Sequence, residues 1–175
     1  MDHLGNRHFE IRTADAGDAQ AMIAVKHASV FKIGAENYPP EQLVQWAGHL
    51  DQSHIKLLET RVAQSKMLFW VATIQKVVMG YAALNLESGE VGGPYVRPEH
   101  GREGIGSGLV QAVEAEAPQH SVHTLFAESP QNVVAFFTQH NGFDSVRASS
   151  KALFSGGSLP TTRVEKAVSS QTSSH

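Results

Sequence analysis

The 175-residue sequence contains no cysteine. This absence excludes disulfide bonds, thiolate metal ligands and a cysteine nucleophile. A chain without disulfides fits a reducing compartment, so we expect the protein to be cytoplasmic.

A positive charge excess is also lacking, since the formal net charge is -3 and the pI is about 6.3. Proteins that hold nucleic acid through its phosphate backbone need a basic excess. We therefore expect no nucleic-acid partner, and any positive patch must be local.

Long apolar runs are missing as well. The first residues include Asp2, His3 and Arg7 where a signal peptide would have an apolar core, and no later stretch approaches the roughly 20 apolar residues that span a bilayer. The sequence predicts no membrane partner.

Histidine is plentiful, with ten residues, but the histidines follow no metal-binding spacing. An HExxH motif is absent, and the sequence contains no tight set of histidines and carboxylates. We expect no metal site.

The most informative segment is Arg-Glu-Gly-Ile-Gly-Ser-Gly at residues 102–108. It joins a predicted strand at residues 90–96 to a predicted helix at residues 109–117. Glycines at a helix entrance leave backbone N–H groups exposed, and the positive end of the helix dipole favours an anion there. The segment predicts an anion-binding turn, suited to a cofactor pyrophosphate.

Two common phosphate-binding motifs do not match this turn. A P-loop needs Lys-Ser/Thr after its last glycine, where this chain has Leu109-Val110. A dinucleotide fingerprint needs GxGxxG near the first strand, whereas this chain has GxGxG more than halfway along. A tight connection without a ligand is the alternative that the glycines alone leave open.

Three further segments accompany the turn. Residues 95–100, Tyr-Val-Arg-Pro-Glu-His, precede it. Asn-Val-Val-Ala-Phe-Phe at 132–137 is followed by Asn-Gly-Phe at 141–143, and Arg-Val-Glu-Lys-Ala-Val lies near the end at 163–168. In this order they resemble the coenzyme A loop, the fourth-helix signature and the last strand of the GNAT superfamily of acyl-CoA N-acyltransferases. The resemblance covers nearly the whole chain.

The order of predicted strands and helices indicates an α/β (α+β) domain. The resemblance implies a GNAT-like fold, with a mixed central sheet flanked by helices in three α-β-α layers. We expect one N-acetyltransferase domain at residues 1–168 and a polar, disordered tail at residues 169–175.

The resemblance also implies acetyl-CoA as cofactor. Its pyrophosphate would bind backbone N–H groups of the glycine turn, its pantetheine arm would pair with the preceding strand, and the later helix would cover it. The expected cofactor-binding residues are Tyr95, Val96, Arg97, Arg102, Glu103, Gly104, Ile105, Gly106, Ser107, Asn132, Phe136 and Phe137.

For catalysis, the resemblance implies direct attack of a neutral amine on the thioester, assisted by a base and an acid. Gly92-Gly93-Pro94 lies where the family's fourth strand commonly bulges and exposes an N–H to the acyl oxygen, and proline within a strand fits a bulge or an edge. A turn or a strand end is the alternative for these three residues. The acidic residue that many members carry near Gly92 is absent, so Glu90 and Glu87 are the candidate bases. The family's helix-four tyrosine is absent too, and Thr138 is the candidate acid.

The sequence thus predicts an N-acetyltransferase for a primary amine of a small molecule or a protein. Dimerisation is common in the family, so a homodimer is consistent with it. A non-catalytic acyl-CoA-binding or sensing domain is the alternative that the missing tyrosine and acid favour. A nucleotide-binding module that uses the same glycine turn is a third interpretation.

Overall fold

A computed structural model describes residues 8–153 and 156–170. Its strands and α-helices follow one another as β1 (Glu10–Thr13), α1 (Ala19–Gly34), α2 (Pro40–Ala47), α3 (Gln52–Ala63), β2 (Met67–Ile74), β3 (Val77–Asn85), β4 (Val91–Val96), α4 (Ile105–Glu116), β5 (Thr124–Ser129), α5 (Val134–His140), β6 (Asp144–Ala152) and β7 (Ser158–Ala167). The described helices include none that is long and apolar enough to cross a membrane.

The strands form two antiparallel sheets that meet at one point. The first has the order β1-β2-β3-β4 and the second the order β5-β7-β6. A parallel bridge between Glu90 and Phe126, with the Phe126 N–H donating to the Gly89 carbonyl at 3.1 Å, joins β4 to β5 at their beginnings. Beyond this bridge the described part of the chain shows no ladder between β4 and β5. The two strands therefore diverge, and one edge of β4 is left open to a ligand.

Strand β2 buries side chains on both of its faces, because successive residues of a strand point to opposite sides. Trp70 and Ala72 belong to a core that α4 and α5 cover, whereas Phe69 and Val71 belong to a core that α1 and α2 cover. The sheet is thus sandwiched between helices. The expected α/β fold with three layers is confirmed.

Helix α4 begins at Ile105, four residues before the predicted start. Glycines lower helix propensity, which is why the sequence pattern placed Gly106 and Gly108 in the loop. A Cβ at Gly108 would lie 2.9 Å from Ile11 and 3.1 Å from Phe9, so the missing side chain lets α4 pack closely against β1. Close packing against the sheet therefore compensates for the poor intrinsic propensity.

Helix α3 is capped by Asp51 rather than by Ser53, the other capping residue type at its start. The Asp51 carboxylate accepts from the His54 N–H at 2.9 Å, and the Ser53 hydroxyl also donates to it at 2.7 Å. Aspartate two residues earlier reaches the free N–H groups of the first turn.

Of the tail predicted at residues 169–175, residues 171–175 lie outside the described part of the chain.

Candidate functional site

The glycine turn presents unpaired backbone donors. Gly104, at φ +84°, is the N-cap of α4 and offers no capping side chain, and the first helical bond runs from the Gly108 N–H to the Gly104 carbonyl at 2.9 Å. The N–H groups of Ile105, Gly106 and Ser107 therefore find no acceptor within residues 8–153 and 156–170. Three such donors at a helix N-terminus suit a phosphate group.

The two glycines of the turn differ in what surrounds them. A Cβ added to Gly104 would meet nothing within 4 Å, whereas one added to Gly106 would lie 3.1 Å from Phe136 and 3.6 Å from Pro94. Gly104 thus borders open space, where a ligand has room. Gly106 instead lets α4 approach α5 and β4 closely.

The charged residues near the turn have different partners. Arg97 is directed towards β3, where its Nε donates to the Val78 carbonyl at 3.3 Å, while Arg102 is exposed at φ +64°. Glu103 lies 2.6 Å from Nδ1 of His100, and this hydrogen bond, with a smaller effect of His8, lowers the pKa of the Glu103 carboxyl. Of the two arginines predicted to bind the cofactor, Arg102 is the one whose side chain is exposed at the turn.

His8, His100 and Glu103 form a group that the sequence spacing did not reveal. Their ligand atoms all lie within 4.8 Å of one another, a separation that one metal ion could bridge. The fold brings His8, which precedes β1, to His100 and Glu103 of the loop before α4, so no contiguous motif could have indicated the complete group. The hydrogen bond between His100 and Glu103 also accounts for the contact without an ion.

Strand β4 contains the predicted bulge. Tyr81 of β3 pairs with Tyr95 and Ala83 pairs with Gly92, so β4 has one extra residue in this interval. Gly93 has φ +79°, and a Cβ there would lie 2.8 Å from the Tyr95 backbone nitrogen. The bulge therefore requires glycine at this position. It stands next to the open edge of β4.

A cavity of about 420 Å³ lies on the α1–α3 side of the sheet. Its walls are largely apolar, and its charged side chains are Glu90, Lys26, Arg61 and Lys151, with His49 and His54 beside them. A volume of this size holds a small organic molecule.

A smaller cavity of about 40 Å³ lies between the diverging strands β4 and β5. Trp46, Tyr95 and Lys151 line both cavities. These three side chains therefore stand where a ligand in the cleft would meet a ligand in the large cavity.

Tyr95 is the buried titratable group at this junction. Burial alone would raise the pKa of its phenol, but the charges of Lys26 and Lys151, with a hydrogen bond from Trp46, outweigh burial and lower it. Its neighbour Tyr81, with the ring centroid 5.2 Å away, has its pKa raised well above the ordinary value by burial and by Tyr95. Sequence reasoning assigned Tyr95 only a cofactor-binding role, because the lysines that act on it come from α1 and β6.

The candidate catalytic residues occupy different places. Glu90 is half-buried and lines the large cavity, whereas Glu87 is exposed in a turn where its N–H donates to Asn85 Oδ1 at 2.9 Å. The Thr138 hydroxyl donates to the Val134 carbonyl at 3.1 Å within α5. Of the three candidates, Glu90 alone lines either described cavity.

The residues predicted to cover the cofactor, on α5 and directly before it, also lie in different environments. Phe137 is buried and lines the small cavity, and Phe136 packs over Gly106. Asn132 is exposed, and its Nδ2 donates to the Ile33 carbonyl at 2.6 Å. Val96 ends β4 half-buried against the α4 core.

A family model for the acetyltransferase (GNAT) domain matches residues 35–156. The chain belongs to the GNAT acetyltransferase family, as the sequence resemblance indicated, and is an N-acetyltransferase by family. Over 140 residues the chain is 26% identical to the uncharacterized N-acetyltransferase YafP of Escherichia coli K12. The aligned region covers 80% of this chain and 84% of YafP.

Two solved structures share the fold. A GCN5-related N-acetyltransferase from Rhodopseudomonas palustris superposes with a TM-score of 0.76 at 24% identity, covering 91% of this chain and 95% of that one. The PaiA N-acetyltransferase of Thermoplasma acidophilum, solved with coenzyme A, gives a TM-score of 0.74 at 21% identity, covering 91% and 98%.

Proposed function

We propose that the protein transfers an acetyl group from acetyl-CoA to a primary amine by direct attack in a ternary complex. The observation that carries the proposal is the junction at Trp46, Tyr95 and Lys151, where the cleft between β4 and β5 meets the large cavity. A cleft for the thioester and a cavity for the amine would bring the reacting atoms together at one place. The proposed acetyltransferase domain spans residues 1–168 and acts in the cytoplasm.

Cofactor binding rests on backbone groups. The free N–H groups of Ile105, Gly106 and Ser107 would hold the pyrophosphate, and the open edge of β4 at Tyr95, Val96 and Arg97 would pair with the two amides of the pantetheine arm. Bound acetyl-CoA supplies an activated acyl group with a thiolate leaving group.

Proton transfer is proposed for two side chains at the cavity. Glu90, through a water molecule, accepts one proton from the amine as the N–C bond forms. Tyr95 donates one proton to the sulfur as the C–S bond breaks, so that an amide and a free thiol result. The proton on Glu90 then returns to Tyr95 through solvent.

Tyr95 would thus replace the tyrosine that the family carries on its fourth helix. Phe137, buried in that region, has no proton to donate, and the Thr138 hydroxyl is directed to a carbonyl of its own helix. The same two features favour the alternative of a non-catalytic acyl-CoA-binding domain. Release of coenzyme A thiol in the presence of amines separates the two functions.

The cofactor site is tested by calorimetric titration with acetyl-CoA, with ATP as the control ligand. We expect micromolar binding of acetyl-CoA to the wild type and none to a Gly104→Trp variant, because the new side chain would fill the space in front of the free N–H groups. Gly156→Trp is the matched control: Gly156 also has positive φ, +96°, and an added Cβ there meets nothing within 4 Å.

Both variants carry the same kind of backbone strain, about 1–2 kcal/mol, so only the position differs. Binding lost in Gly104→Trp and kept in Gly156→Trp supports the cofactor site. Failure of the wild type to bind acetyl-CoA would overturn it, and tighter binding of ATP than of acetyl-CoA would favour the nucleotide-binding alternative.

A further inference from the structure

The large cavity contains an excess of positive charge. Lys26, Arg61 and Lys151 line it, and its lining includes a single carboxylate, Glu90. None of the three cations forms an ion pair with a carboxylate of residues 8–153 or 156–170. The whole chain is acidic, with a net charge of -3, so this local excess is not a consequence of composition.

The position of the lysines adds to this charge argument. Lys26 and Lys151 are half-buried, and the Nζ of Lys26 lies 5.5 Å from the centroid of the Tyr95 ring. Buried charges in proteins are generally paired or neutralised. An anionic group on the ligand would supply the ion-pair partner that the described carboxylates do not provide.

Most of the remaining wall is apolar, with Gln45, Asn85 and the two histidines among its other polar side chains. Val44 and Leu57 are exposed there at 36% and 43% of their surface, and further apolar lining comes from Ile23, Leu58, Met67 and Phe69. Contact with a bulky hydrocarbon side chain would remove this surface from water, with a gain of roughly 25 cal/mol per Å².

We propose that the acceptor is an α-amino acid with a bulky apolar side chain, whose carboxylate binds Lys26 and Lys151 while its amine faces Glu90 and Tyr95. This inference rests on the proposed function and names its substrate class. Both lysines and the carboxylate of Glu90 line the same cavity as Tyr95, and the charges of all three act on its phenol. The amine and the anion of the acceptor must therefore be close together. In an α-amino acid they are attached to the same carbon.

The test compares three acceptors that share one side chain. L-Phenylalanine carries the carboxylate, phenylalaninamide replaces it with an uncharged amide, and phenylethylamine lacks it. Thiol release is measured at saturating acetyl-CoA, and kcat/KM is expressed per free amine so that the different amine pKa values do not enter. We expect L-phenylalanine to exceed both neutral amines at least tenfold.

The same comparison is repeated in Lys26→Met, with Lys26→Arg as the conservative variant and Lys32→Met as the control. Lys32 is exposed on the same helix and does not line the cavity. We expect the preference for L-phenylalanine to fall close to one in Lys26→Met, and to be retained in Lys26→Arg and Lys32→Met. A ratio of two acceptors is unaffected by any general loss of activity.

Calorimetry separates failure of this inference from failure of the proposed function. Acetyl-CoA should bind Lys26→Met as tightly as the wild type, and L-phenylalanine should bind the wild-type complex with coenzyme A but not the complex of the variant. Neutral amines equal to or better than the amino acid would overturn the substrate class, as would acetyl-CoA binding without any binding of amino acid. No acetyl-CoA binding would overturn the proposed function itself.

Discussion

The Nζ of Lys26, on α1, lies 5.5 Å from the centroid of the Tyr95 ring, on β4. Burial would raise the pKa of the Tyr95 phenol, and the charge of Lys26 is the largest of the effects that oppose it and bring the pKa below its ordinary value. A phenol of lowered pKa gives up its proton more readily. The relationship therefore suits Tyr95 to proton donation at neutral pH.

Replacing Tyr95 with phenylalanine should lower kcat. General acid catalysis contributes roughly 10²- to 10⁴-fold, and the thiolate is a tolerable leaving group, so a loss of about tenfold or somewhat more is expected. Tyr81→Phe is the matched control because its ring packs against that of Tyr95. Steady-state thiol release measures both variants, and equal kcat values in the two would exclude Tyr95 as the acid.

The alkaline side of the pH profile should depend on Lys26. Tyr95 can donate only while it is protonated, so kcat falls as pH rises through the pKa of its phenol. In Lys26→Met one opposing charge is lost, burial has more effect, and the pKa rises. The alkaline limb of log kcat at saturating phenylethylamine, an acceptor without the carboxylate that Lys26 is proposed to bind, should move to higher pH. A limb that stays in place or moves to lower pH would contradict the assignment.

The two candidate bases should respond differently to substitution. Glu90→Gln should lower kcat by about 10²-fold, because the carboxylate lines the cavity and the amide cannot accept the amine proton. Glu87→Gln, on the exposed turn, should change kcat less than about twofold. Comparable losses in both variants, or none in Glu90→Gln, would require another base.

Gly93→Ala should destabilise the protein through the β4 bulge. The residue has φ +79°, and an added Cβ would lie 2.8 Å from the Tyr95 nitrogen and 3.1 Å from the Tyr81 carbonyl oxygen. Left-handed strain and overpacking together should cost about 3 kcal/mol. At Gly92, an added Cβ would lie 3.4 Å from the Cβ of Ala83, so Gly92→Ala should change the free energy of unfolding by less than about 0.5 kcal/mol. Urea unfolding compares the two.

Asp18 should stabilise the fold in a pH-dependent way. Arg12 donates two hydrogen bonds to its carboxylate, at 2.7 and 2.9 Å, and thereby lowers the Asp18 pKa from its ordinary 3.8. A carboxyl group whose pKa is lower in the folded than in the unfolded protein stabilises the fold. This stabilisation is complete at pH values above the unfolded-state pKa and is lost as the pH falls through the folded-state pKa.

Asp18→Asn should therefore lower the free energy of unfolding at pH 7 by about 1–2 kcal/mol, reduced by the solvent exposure of Arg12. The difference from wild type should shrink at pH 3. Asp144→Asn, at an exposed position on β6, is the control. A difference that is the same at both pH values would show that the ionised form of Asp18 has no special role.

The glycine turn and the order of strands and helices were predictable from the sequence because their signals are local. Glycines at residues 104–108 mark a helix entrance, Gly92-Gly93-Pro94 marks the bulge, and short apolar runs such as residues 67–74 mark the strands. The segments at residues 132–137 and 163–168 carried the family resemblance, which the family match confirms. Local signals predicted the start of α4 less well, because close packing of Gly108 against β1 lets the helix begin earlier than its glycines indicate.

The chemistry at the junction was decided by the tertiary structure. Lys26 lies on α1, Glu90 directly before β4, Tyr95 on β4 and Lys151 on β6. Their spacing along the chain carries no motif. Their charges act on one another only because the sheet splits after Glu90 and the helices fold over one face. The sequence by itself determined the class of protein and its glycine turn. Burial and the convergence of distant side chains, which depend on the complete fold, decided which phenol and which lysines line the cavity.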